Sequence, residues 1–100
     1  MAIAVDLDGT LAKYSTFKNK IGDPIPKMIN RVFDWLDKGK EVVIFSARAK
    51  TPAERKKIKL WLLKQGLPAL EVTNVKSPDF EVMYDDRVRK VEKNTGEVKF

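Results

Sequence analysis

Two short apolar runs, each broken off at polar residues, constrain this chain more than any other feature. Ala2-Ile3-Ala4-Val5 stops at Asp6, and Val42-Val43-Ile44-Phe45 stops at Ser46-Ala47-Arg48. Runs of this length without polar alternation suit strands buried on both faces, which is the habit of parallel sheets. Between them Ile25, Met28, Ile29, Val32, Phe33 and Leu36 recur at helical spacing and give that segment one apolar face. Asp23 is placed to cap the first turn, Pro24 falls where a missing N–H costs nothing, and Gly39 follows the last turn as a left-handed terminator. The pattern reads strand, helix, strand.

The same signals return downstream. Thr51-Pro52-Ala53-Glu54 has capping-box spacing with proline at the first helical position, and Ile58, Trp61 and Leu62 follow before Gly66. Leu70 to Asn74 and Glu81 to Tyr84 are strand candidates, the second running into Asp85-Asp86, and Asn94-Thr95-Gly96 marks a hairpin turn in the tail from Val88 to Phe100. Alternating strands and helices predict an α/β fold, a Rossmann-like three-layer sandwich with a mainly parallel sheet. Its ligand site should lie beyond the carboxyl ends of the strands. One feature strains this reading. Only Val75 to Phe80 separate the third and fourth strands, whereas a parallel crossover usually needs about a dozen residues. Either the segment is an extended connector or the third strand lies elsewhere.

With 100 residues the chain has enough core for a single domain spanning 1–100. Cysteine and histidine are both absent, which removes disulfides, thiolate metal sites, cysteine nucleophiles and imidazole bases. Carboxylates, lysines, hydroxyls and a hard metal remain for chemistry. Twenty Lys and Arg against fourteen Asp and Glu leave a net charge of +6, which favours phosphorylated or polyanionic partners. No basic segment precedes the first apolar run, and no stretch of about 18 apolar residues occurs, so the expectation is a cytoplasmic protein with no membrane partner.

The acids are grouped. Asp6-Leu7-Asp8-Gly9-Thr10 stands at the end of the first strand and Asp85-Asp86 at the end of the last, and in a parallel sheet those ends meet. Four carboxylates in one crevice resist ionising together unless a cation offsets them, and oxygen-only ligands point to magnesium. Magnesium usually takes one or two carboxylates together with substrate phosphate, leaving other acids free to act as nucleophile and proton carrier.

Together, DLDGT after an opening strand, a serine closing the second strand, a later lysine and a DD pair resemble the four motifs of the haloacid-dehalogenase superfamily of phosphatases. The resemblance spans Met1 to about Arg89 and implies a minimal core of that fold, without a cap. It implies that Asp6 is the nucleophile that takes up a phosphoryl group and that Asp8 is the general acid and base. Ser46 and Lys76 would bind the phosphate, with Lys50 a competitor for the lysine role, and Mg2+ would be held by Asp6, Asp8 through its backbone carbonyl, and Asp85 or Asp86. The space for a cap, Leu11 to Asp23, is too short to hold one. The closing Tyr84-Asp85-Asp86-Arg87, with Ser46-Ala47-Arg48 after the second strand, is similar to the phosphatase half of polynucleotide kinase/phosphatases, which implies a nucleotide or nucleic-acid terminal phosphate as substrate.

Other readings stand beside this one. A non-catalytic metal- or nucleic-acid-binding module would keep the acidic crevice and turn nothing over, and a phosphoryl-receiving switch domain would hold a long-lived phosphoaspartate. Arg55, Lys56, Lys57, Lys59 and Lys64 make the second helix basic, either as a solvated face or as a path for a phosphate backbone. Trp35 and Trp61 read as packing residues or partly buried rim residues of their helices, and Phe17, in the loop after DLDGT, is a better candidate than either for substrate contact. The family continues with a further helix and strand after the DD pair. Their replacement by a hairpin would leave a sheet edge for a second copy of the chain to cover.

Overall fold

The computed structural model describes residues 1–17 and 19–100. Four strands, β1 (Ala2–Asp6), β2 (Glu41–Phe45), β3 (Glu71–Thr73) and β4 (Phe80–Tyr84), form one sheet in the order β3-β2-β1-β4. Every pairing in it is parallel. Helix α1 (Pro26–Asp37) joins β1 to β2, and α2 (Pro52–Lys64) joins β2 to β3. Beyond the sheet, β5 (Lys90–Val91) and β6 (Val98–Lys99) pair antiparallel around the expected turn, where Asn94 and Gly96 take positive φ.

The core lies on one face of the sheet. Ile3 and Val5 of β1, Val42 and Ile44 of β2 and Val72 of β3 share that face by register. They pack into a single cluster with Met28, Ile29 and Val32 of α1 and Ile58 and Leu62 of α2. Two successive right-handed crossovers that step the same way across a sheet put both helices on the same side, and that is the arrangement here. Each helix is shaped by its sequence. On α2, Thr51 Oγ1 accepts the backbone N–H of Glu54 at 3.2 Å, the forward half of the capping box, and Gly66 takes φ +81 just past the end. The start of α1 differs from the reading above. The helix begins at Pro26 with Ile25 at the cap position and no side-chain cap, so neither Asp23 nor Pro24 serves it. Both belong instead to a closed loop base, where Lys13 N–H donates to Asp23 O at 2.7 Å and Ala12 bridges Pro24.

Among the described residues no helix covers the opposite face. Residues 74–79 cross it as an extended connector, and Val75, Ser77 and Asp79 line a groove of about 280 Å³ together with Ala2, Val43 and Thr73 of the sheet. This resolves the short crossover: the outer layer on that side is a strap of six residues, long enough to pass beneath two strands but not to coil. Ala2 and Ala4 are buried there under Phe45 and Phe80, whose rings meet edge to face at 6.2 Å. Small residues on β1 leave room for that contact. On the helix side Trp35 and Tyr84 pack at 4.9 Å.

Among the described residues no helix is long and apolar enough to cross a membrane. Adjacent positions on α2 test the packing assignment. Leu62 is fully buried and Leu63 half exposed. Leu62→Ala should lower stability by about 2–5 kcal/mol and Leu63→Ala by about 0.5 kcal/mol or less, as read from urea unfolding midpoints.

Candidate active site

Register brings the acids together. Asp6 ends β1 opposite Phe45, so Ser46 follows directly beside it, and Val5 pairs with Tyr84, which sets Asp85 level with Asp6. The second alignment depends on an irregularity. Ala2 pairs with Phe80 and Ile3 with Val82, so one extra residue, Glu81, bulges from β4. Without it the acidic pair would stand one position out of step.

One carboxylate oxygen from each of Asp6, Asp85 and Asp86 lies within 4.8 Å of the other two. Among the described residues no ion pair engages any of the three. Burial raises the Asp6 pKa to about 7, and the neighbouring Asp85 and Asp86 charges push the same way against a hydrogen bond from Thr10. An acid cluster in this state lacks a positive charge. Its donors are all oxygen, and the set fits a hard divalent cation such as magnesium.

Thr10 is the site residue to which the sequence reading gave no role of its own. Its hydroxyl is buried, accepts the backbone N–H of Asp86 at 3.0 Å, and shares its hydrogen between Asp86 Oδ1 at 3.1 Å and Asp6 Oδ2 at 3.3 Å. Beside it Gly9 takes φ +91, and a Cβ at that position would stand 2.7 Å from Asp86 Oδ2. Glycine is required there twice over, for the turn and for the approach of the carboxylate. The DGT part of the motif is therefore a socket for the distant acidic pair.

Asp8 is not part of the triad. Its Oδ2 accepts from Arg48 Nε at 2.7 Å, while its Oδ1 is buried without a hydrogen-bond partner. Arg48 in turn donates from Nη2 to the carbonyl of Lys20 at 2.9 Å, tying the β2 end to the loop that follows DLDGT. Sequence placed Arg48 only as the third residue of a short motif; its ion pair spans 40 positions and leaves no local signature. Ser46 is buried, and its Oγ accepts the Arg48 N–H at 3.2 Å. Lys76 is not brought to this group. It is exposed on the connector, and among the described residues no hydrogen bond or ion pair joins it to the acids. Lys50, by contrast, lines an open crevice of about 490 Å³ with Ala47, Arg48 and Thr51. Phe17 is exposed on the loop after DLDGT, and Trp61 is half-buried with its Nε1 donating to Gly22 O at 3.1 Å.

No protein-family model matches this chain, and no curated protein matches it in sequence. Its fold is similar to a solved structure of a conserved protein from Bacteroides thetaiotaomicron, with TM-score 0.71 and 22% identity over 88% of this chain and 77% of that one. At that identity the likeness shows the fold, a Rossmann-like α/β arrangement, and nothing about chemistry.

The raised Asp6 pKa has a consequence for stability. A carboxyl whose folded pKa lies above its ordinary 3.8 favours the folded state most at pH below that value, and the contribution is lost as pH rises through about 7. In metal-free protein, thermal melts of Asp6→Asn should therefore gain on wild type between about pH 4 and 7 and stay ahead above it. A constant difference across that range would show that Asp6 is not held in an acidic, cation-poor setting.

Proposed function

We propose that this chain is a magnesium-dependent phosphomonoesterase that acts through an aspartyl phosphate on Asp6. The observation carrying this reading is the division of four acids into two environments. Three carboxylates crowd together with no Lys or Arg paired to them among the described residues, and the fourth, Asp8, is held apart by Arg48. Pairs of acids kept in different settings are what acid and nucleophile roles require.

Asp6, Asp85 and Asp86 would hold the metal, with the backbone carbonyl of Asp8 as the resemblance to haloacid-dehalogenase phosphatases suggests. The cation supplies charge neutralisation for the acids and for the phosphoryl oxygens. Asp6 contributes a carboxylate oxygen to phosphorus as the ester oxygen departs, and Asp8 gives that oxygen its proton. In the second half Asp8 takes a proton from the water that attacks the acyl phosphate, restoring Asp6 and releasing phosphate. Oδ1 is the atom suited to carry this proton, because Oδ2 stays committed to Arg48. Ser46 has its hydroxyl hydrogen uncommitted among the described residues and could donate it to a phosphoryl oxygen. Lys50 lines a crevice together with Arg48, the side chain that holds Asp8, and is a better candidate than Lys76 to face the incoming charge.

The test is release of phosphate from phenyl phosphate with and without Mg2+. Wild type should turn over only with the metal, Asp6→Asn should lose all measurable activity, and Asp8→Asn should lose about 10²–10⁴-fold, the usual worth of a general acid and base. A binding module would show no release from wild type. A receiver-type switch would retain stoichiometric label on Asp6 in place of turnover.

A further inference from the structure

The hairpin of β5 and β6 has two unlike faces. Val91 stands opposite Val98 and Lys90 opposite Lys99, and alternation puts Arg89 and Phe100 on the valine side, where the guanidinium lies 5.5 Å from the ring centre. One face is therefore apolar with a cation at its border. The other carries the two lysines, of which Lys99 reaches Glu92 at 3.5 Å. Val91, Val98 and Phe100 are all exposed, and among the described residues β5 and β6 lie against no other strand or helix. A two-stranded hairpin alone in water is marginal at best, so its apolar face needs a surface to lie on.

The side of the sheet that bears no helix is its complement. Ala2, Val43, Val75 and Phe80 give the groove there an apolar lining, and the charged side chains in it are Glu41, Glu71 and Asp79. No lysine or arginine lines it. Glu41 and Glu71 are exposed and take part in no ion pair among the described residues, while Asp79 faces the amino terminus at 3.9 Å. Against these acids, residues 87–100 carry five basic side chains and two acidic ones.

We infer that the hairpin of one copy docks in this groove of a second copy, and that the exchange is reciprocal, giving a two-fold dimer. The valines and Phe100 cover the apolar lining, and Arg89 is set against Glu41 and Glu71. Reach makes the occupant a second copy. Asp86 is tied to Thr10 beyond the end of β4, while the groove extends to Phe80 at its start, about 17 Å of strand away. Arg87 to Arg89, the link to β5, spans at most about 11 Å. Reciprocal docking makes the same contact twice in one association and leaves no open end for further addition, the closed symmetry usual in homo-oligomers. It is independent of the chemistry at the acids.

Size-exclusion chromatography with light scattering at about 100 µM, a hundredfold above a micromolar Kd, should give twice the chain mass. Val91→Ser/Val98→Ser and Glu41→Lys/Glu71→Lys change exposed positions on the two sides of the contact, and each pair should weaken association by about tenfold or more. Adding Arg89→Glu to the second pair should recover part of that loss. Because the chain has no cysteine, the contact can also be read directly. Val98→Cys protein mixed with Glu71→Cys protein should form a mixed disulfide under mild oxidation, and the same protein mixed with Lys56→Cys, an exposed position on α2, should not. A monomeric wild type at that concentration, or a dimer indifferent to both pairs of substitutions, would overturn the proposal. So would a disulfide closed within one chain in Val98→Cys/Glu71→Cys, which would place the hairpin on its own sheet.

Discussion

The hydroxyl of Thr10 joins two acidic segments that are 76 positions apart in the chain. By accepting the Asp86 N–H and sharing its hydrogen with both carboxylates, it fixes the end of β4 against the loop that leaves β1. This is a local fix for a global cost. Three carboxylates within 4.8 Å repel one another, and desolvation adds to the penalty. Nothing in the sheet alone would hold them there. The site keeps its shape because a buried hydroxyl, a glycine with no Cβ and a parallel register all act on the same few ångströms.

What could be read from the residues, and what could not, divides along sequence separation. Both βαβ units were legible because their signals are local: apolar runs, helical spacing, the Thr51 cap, and the terminators Gly39 and Gly66, which do take positive φ. The Asp6 and Asp85-Asp86 meeting was legible because parallel strands leave little choice about where their ends go. Three things were not. The bulge at Glu81 changes pairing register by one residue without any turn-forming residue to announce it. The Arg48–Asp8 pair joins loops that no periodicity connects. The start of α1 at Pro26 in place of Pro24 follows from tertiary bonding, since Asp23 and Pro24 close the loop base. Lys76 is the instructive case. The order of motifs marked it, but the connector that carries it must cross two strands in six residues, and its hydrogen-bonded turn, with Phe80 N–H donating to Ser77 O at 3.1 Å, lies beyond Lys76.

The two faces of the sheet are unequal for a related reason. Helices following β1 and β2 both fall on one side because the chain keeps stepping the same way, and reversal at β4 sends the next crossover to the other side. That reversal is where open α/β sheets bind ligands, since the loops on either side part there. Here the point lies between β1 and β4, and the acids stand at it. The thin strap on the second face serves topology more than packing, and the alanines of β1 beneath it are covered by the two phenylalanines instead.

A net charge of +6 around an acidic crevice sets up two length scales. At long range the excess of lysine and arginine sets the sign of the field that an approaching phosphate meets, weakened by salt over a Debye length of about 8 Å. Within a few ångströms the order reverses: a bare acid triad repels the same phosphate, so productive contact requires the triad's charge to be offset first. A cation held by the acids would therefore raise the affinity of the crevice for an anion, and an anion there would raise the affinity for the cation by the same factor. Arg48 pairs with Asp8 through Nε and also lines the crevice with Lys50 and Thr51, so its guanidinium feels charge arriving on either side.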